Sequence, residues 1–143
     1  MNTKNNKEST DKTWFIDIDG TIVKHVDNNI IDEAIKTRGN KSYLFESPIK
    51  ESVSFLNSIP NSDTIVLTTA RDSGHAPHTI KMLDHYKIRY DRIIFDLRAG
   101  PRVVVNDMKP IGAAGNRSLM KTAYAINVNR DEGILDVHKR SII

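Results

Sequence analysis

Asp17 and Asp19 stand one residue apart at the end of the apolar run Trp14-Phe15-Ile16, and Gly20 and Thr21 follow at once. Two carboxylates this close are unfavourable, through desolvation and mutual repulsion, unless a cation or a substrate offsets their charge. Such a pair suits an active site: one carboxylate can be a nucleophile while its neighbour moves protons. Two further stretches carry matching chemistry. Thr68-Thr69-Ala70-Arg71 offers hydroxyls and a guanidinium, and Asn106-Asp107 offers a third acid. The plain alternatives are turn-capping acids at Asp17, Asp19 and Asp107, a helix-capping Thr69, and surface charges at the basic positions.

The elements that must position these residues alternate along the chain. The β-branched run predicts a strand over Thr13 to Ile18, closed by the Asp-Gly turn. Lys24 to Ser47 is a polar excursion with a helical patch at Asp32 to Thr37, a turn at Arg38-Gly39-Asn40 and a docking cluster, Tyr43-Leu44-Phe45. Ser47-Pro48 opens a helix whose Ile49, Val53 and Leu56 share a face, and Pro60-Asn61 closes it. Thr64 to Leu67 predicts a second strand, Asp72 to Pro77 a polar loop, and Thr79 to Tyr86 a helix with Ile80 and Leu83 inward. His75 and His78 are read as solvated loop residues, because no third ligand stands near them to make a metal site. Ile93 to Phe95 predicts a third strand, and the very β-branched Arg102 to Val105 a fourth. Leu119 to Val128 reads as a short helix or strand, Asn129 to Gly133 as a turn, and the last ten residues as ambiguous. Such alternation implies an α/β fold with a mainly parallel sheet. Ligands of such sheets bind at the carboxyl ends of the strands, which groups Asp17 and Asp19, Thr69 and Arg71, and Asp107 at one edge.

Composition narrows the classes. The 143 residues suit a single domain over 13–143, with residues 1–12 as a flexible polar tail. The chain has no cysteine, which excludes disulfides, thiolate metal sites and a cysteine nucleophile. No apolar run reaches the length of a membrane span, and the polar start lacks the apolar core of a signal peptide, so a cytoplasmic location is expected. A net charge of +3 suits anionic substrates and falls short of a basic stripe built for nucleic acid.

Trp-Phe-Ile-Asp-Ile-Asp-Gly-Thr resembles the first motif of the haloacid-dehalogenase-like (HAD) phosphohydrolases, apolar residues followed by Asp-x-Asp-Gly-Thr. Ile65 to Arg71 is similar to their second motif, an apolar strand ending in Thr or Ser, and Val103 to Asp107 to their last, an apolar strand ending in an acid. The resemblance runs from about residue 13 to about residue 128, with the motifs in order. It implies a three-layer Rossmann-like sheet with helices on both faces, and a phosphatase acting through an aspartyl-phosphate. Asp17 would be the nucleophile and Asp19 the general acid and base. Gly20, Thr69 and Arg71 would bind phosphate, Thr69 being preferred to Thr68 because it leaves the strand toward the cleft. Mg²⁺ would be held by Asp17, Asp107 and Asp19 through its main-chain carbonyl, the donors being hard oxygens.

The sequence departs from the family pattern in two places. The usual Lys between the second and last motifs has no clear counterpart, since Lys81 and Lys87 read as solvated helix residues; Arg98 and Lys109 are ranked equal as replacements, ahead of Arg102. Met108, Lys109, Pro110 and Ile111 follow Asp107, where many relatives carry another acid. The excursion after the first motif is too short for a full cap domain. An uncapped site suits a large substrate or a homo-oligomer that closes it. The expected substrate is a small phosphomonoester such as a sugar phosphate. The alternatives are a nucleotide or a polynucleotide 3′-phosphate end, as in the phosphatase domains of polynucleotide kinases, and a non-catalytic domain that binds a phosphorylated partner.

Overall fold

The computed structural model describes residues 10–142. Three parallel strands form the sheet: β1 (Thr13–Asp17), β2 (Thr64–Thr68) and β3 (Arg92–Ile94), in the order β1-β2-β3. Helices α1 (Asn28–Arg38), α2 (Lys50–Ser58), α3 (Ala76–His85) and the short α4 (Asp136–Lys139) complete the regular structure, with short 3₁₀ turns between them. The fold is a Rossmann-like α/β arrangement with a parallel sheet. Most of the expected tail, residues 1–12, lies outside the described residues; Lys12 at its end donates its main-chain N–H to Asp63.

The strand order explains where the core sits. Parallel neighbours are joined by right-handed crossovers, so an order that never reverses sends both connecting helices to one face of the sheet. Trp14, Ile16, Ile65, Leu67 and Ile93 share that face through the register Trp14↔Ile65, Ile16↔Leu67 and Leu67↔Ile93. They pack in one cluster with Phe55 and Leu56 of α2 and Met82 and Leu83 of α3. The other face is buried at Val66 and Thr68 but exposed at Phe15 (58%) and Ile94 (44%).

Several boundaries differ from the sequence reading. The helix of the excursion is longer than its apolar patch, and α3 starts earlier, at Ala76, because Pro77 suits a first turn that lacks N–H partners. Ile80 of α3 points outward while Met82 and Leu83 are fully buried. The largest difference is the fourth strand. Arg102 to Val105 joins no sheet, and Val103 and Val105 are 84% and 92% exposed. β-propensity describes how well a side chain fits a half-buried pleat; with no strand beside it, the run has no ladder to join. β1 is therefore an edge strand among the described residues. From Arg102 to residue 128 the chain is largely irregular, with one antiparallel bridge between Lys109 and Met120.

Candidate active site

β1 ends at Asp17, and the chain then turns back on itself. The main-chain N–H groups of Thr21, Ile22 and Val23 all point to the carbonyl of Ile18, and Gly20 N–H donates to Val23. Gly20 takes a φ of +81°, open to glycine with little strain, and a Cβ there would lie 3.1 Å from Cγ of Arg130. The tight turn brings Asp17, Asp19, Gly20 and Thr21 to one open cleft of about 190 Å³, shared with Val128 and Arg130.

A remote segment holds this turn from outside. Asp131 donates its main-chain N–H to the Gly20 carbonyl at 2.8 Å, and its carboxylate accepts from the N–H of His25 at 2.7 Å. Ser52 of α2 donates to the Thr21 carbonyl and accepts from the N–H of Ile134. The segment 128–134 is therefore pinned to the turn, and its Val128 and Arg130 wall one side of the cleft. Read from the sequence alone, Asn129 to Gly133 is a plain turn between a short helix or strand ending at Val128 and an ambiguous C-terminal stretch; only long-range pairing reveals the segment's place, and no local motif signals it.

Asp17 is partly exposed. Its carboxylate accepts from the Thr21 hydroxyl at 3.2 Å and from Arg102 at 3.4 Å. Burial pushes its pKa above the ordinary carboxylate value, Arg102 and Thr21 pull it back, and the neighbouring Asp19 raises it. The cation beside Asp17 is thus Arg102, ranked below Arg98 and Lys109 on sequence. Arg98 instead offers its main-chain carbonyl to Arg102, and Lys109 sits in the bridge to Met120. Because Arg102 lies in the extended exposed run, its side chain can fold back along its own turn, toward the carbonyls of Arg98 and Gly100 and the carboxylate of Asp17.

Arg71 departs most from its expected role as a phosphate ligand. It is 1% exposed, and all five of its guanidinium N–H groups have protein acceptors. Nε and Nη2 reach the two oxygens of Asp19 at 3.0 and 2.8 Å. Nη1 and Nη2 reach the two oxygens of Glu46 at 2.7 and 2.9 Å, and Nη1 also donates to Thr79. Glu46 in turn contacts Nε2 of His78 at 2.8 Å, and Nδ1 of His78 contacts the Ser42 hydroxyl at 2.8 Å. Burial raises the pKa of Glu46, but the hydrogen bonds from His78 and Arg71 outweigh it and hold the carboxyl below its usual range. His75 and His78, expected in a solvated loop, are both buried; each faces a carboxylate, His75 that of Asp32 and His78 that of Glu46. The polar character of 72–77 conceals that α3 begins there and turns these rings inward.

Thr69 is fully buried, and its hydroxyl oxygen accepts the main-chain N–H of Arg71 at 3.0 Å. Thr68, not Thr69, is the register partner of Asp17. Side chains paired in register project from the same face, so Thr68 is the hydroxyl on the side of Asp17. The third acid is not brought to the pair: Asp107 lies exposed in the unpaired run, its carbonyl accepting from the Thr122 hydroxyl. Among the described residues no group of three or more His, Cys, Asp or Glu is placed to hold a metal ion. No helix there is long and apolar enough to cross a membrane.

No protein-family model matches this chain, and no curated protein matches it in sequence. It is similar to a chain in the structure of the Pnkp1/Rnl/Hen1 complex, with 15% sequence identity and a TM-score of 0.41. That match covers 71% of this chain and 33% of the other.

Proposed function

We propose that the protein is a HAD-like phosphomonoester hydrolase that works through an aspartyl-phosphate on Asp17. One arrangement supports this most: two carboxylates from a strand-ending Asp-x-Asp-Gly-Thr turn line one open cleft, the first beside Arg102 and the second fixed by Arg71. An Asp17 oxygen attacks phosphorus while the bond to the leaving alcohol breaks, and Asp19 supplies that alcohol's proton. Asp19 then takes a proton from water, whose oxygen attacks phosphorus, and the bond to Asp17 breaks. Arg71 uses one lone pair on each Asp19 oxygen, out of about four acceptor sites on a carboxylate, so the proton-carrying positions stay open.

The donors of the cleft fit a hard cation in kind, being carboxylate and carbonyl oxygens without His or Cys. Mg²⁺ typically uses only one or two protein carboxylates together with substrate phosphate and water, so the absence of Asp107 does not remove the site. Asp17 and the Asp19 main chain would hold the ion, which when bound offsets the charge of the phosphoryl group. A small phosphomonoester such as a sugar phosphate is the first substrate reading, its phosphate meeting Asp17 and Asp19 in the open cleft. A polynucleotide 3′-phosphate is the second reading, favoured by the exposed basic stretch 97–124, in which Arg98, Arg102, Lys109, Arg117 and Lys121 face a single acid, Asp107.

The test is hydrolysis of an aryl phosphate with Mg²⁺, with EDTA, and by Asp17→Asn. Turnover that needs both the metal and Asp17 is expected. Activity persisting in Asp17→Asn would remove the nucleophile, and an inactive wild type that still binds a phosphorylated ligand would identify a binding domain.

A further inference from the structure

We infer that Glu46 and Arg71, backed by His78, are positioning residues that fix Asp19, and that the excursion 24–47 exists to deliver Glu46. The inference rests on the reading of Asp19 as the acid and base. Arg71 is held from both sides by two-oxygen contacts, Asp19 on one and Glu46 on the other, with Thr79 filling its last donor. A planar guanidinium pinned this way sets the plane and angle of the carboxylate it faces. Glu46 is fully buried and has no route to the cleft, so its effect on chemistry passes through Arg71. His78 and Ser42 extend the chain of contacts behind it.

This accounts for an excursion too short to cap the site. Its 3₁₀ segment, Gly39–Phe45, packs on α3 and ends immediately before Glu46. Ser42 comes from that segment, and His78 and Thr79 come from α3. Three separate parts of the chain thus meet at Arg71. A network built only for stability would be served as well by apolar packing of the same volume, since buried ion pairs give little net stability. What such a network adds is one fixed geometry, and here its open end is the carboxylate in the cleft.

The test separates orientation from folding. Nitrophenolate leaves as an anion and needs no proton from Asp19, whereas water attack on the phospho-enzyme needs Asp19 as base. Rapid mixing with 4-nitrophenyl phosphate and Mg²⁺ should give Arg71→Lys and Glu46→Gln a burst of one nitrophenolate per folded enzyme. Steady turnover should then be lower than wild type by about tenfold to a hundredfold. An alkyl phosphate should lose both phases. Ser42→Ala, a smaller truncation at the far end of the network, should show the same pattern at a few-fold. Leu56→Ala, in the core away from the cleft, should scale burst and turnover equally. If burst and turnover fall together in the network variants, or neither falls, the positioning role is overturned while the phosphatase reading stands. An inactive wild type overturns both.

Discussion

At the scale of single residues, Asp17 carries a conflict between burial and charge. Its carboxyl is pushed above its ordinary pKa of 3.8 by burial, so in the folded protein the ionised form is less favourable than in the unfolded chain. For an acid with a raised native pKa, the unfolded state binds fewer protons around that pKa, and stability falls as pH rises through it. In metal-free protein, Asp17→Asn should therefore raise Tm at neutral pH. The gain should vanish below the ordinary carboxylate value, where both forms are neutral. Equal melting at both pH values would mean that Asp17 is not strained by its site. The acid pair was legible in sequence because its chemistry is local: an apolar run, two acids, a glycine and a threonine. Arg71 was legible as important but not in its role. Its acceptors, Asp19 and Glu46, lie 52 and 25 residues away, and no spacing rule links them. Thr68 and Thr69 were separable only through the strand register.

At the scale of elements, the three strands and two crossover helices were legible from apolar runs and turn residues, because their partners are sequential neighbours. The fourth strand failed because composition can nominate a strand but cannot supply its partner. The wall 128–134 failed for the opposite reason: it has no regular structure, yet it is pinned to the first turn. Gly133 shows how tightly. Its φ is +87°, and an added Cβ would lie 2.8 Å from Ile49 Cγ2 and 3.2 Å from Ser52 Oγ. Ser52 is also the residue that joins Thr21 to Ile134. Gly133→Ala should lower stability by at least about 1 kcal/mol from the left-handed backbone alone, with the clash adding to it. A displaced wall should also lower turnover on small phosphomonoesters. Urea midpoints and steady-state rates check both effects; a wild-type midpoint would mean that the segment yields freely and is no wall.

At the scale of the molecule, charge is divided unevenly. The stretch 97–124 holds five basic side chains and one acid, whereas the whole chain has a net charge of only +3. The remainder of the protein is thus not basic, and the mild overall charge hides a concentrated one. The stretch is largely exposed, lacks regular strands, and includes Arg102, the arginine that contacts Asp17. A polyanion ending in a phosphate would meet this charge on its way to the cleft, whereas a small sugar phosphate would meet only the residues around Asp17. The two substrate readings therefore differ in their salt dependence. Binding of single-stranded nucleic acid releases counterions, and log affinity falls with log salt by about 0.7 per phosphate neutralised. If the polynucleotide reading holds, KM for a 3′-phosphorylated oligonucleotide should rise steeply with salt, and the slope should flatten when Lys109, Arg117 and Lys121 are replaced together by Ala. KM for a sugar phosphate should respond weakly in both proteins, since those three side chains belong to the stretch 97–124 and do not line the cleft. Equal, shallow slopes for both substrates would leave the stretch 97–124 without a role in substrate capture and favour the small metabolite.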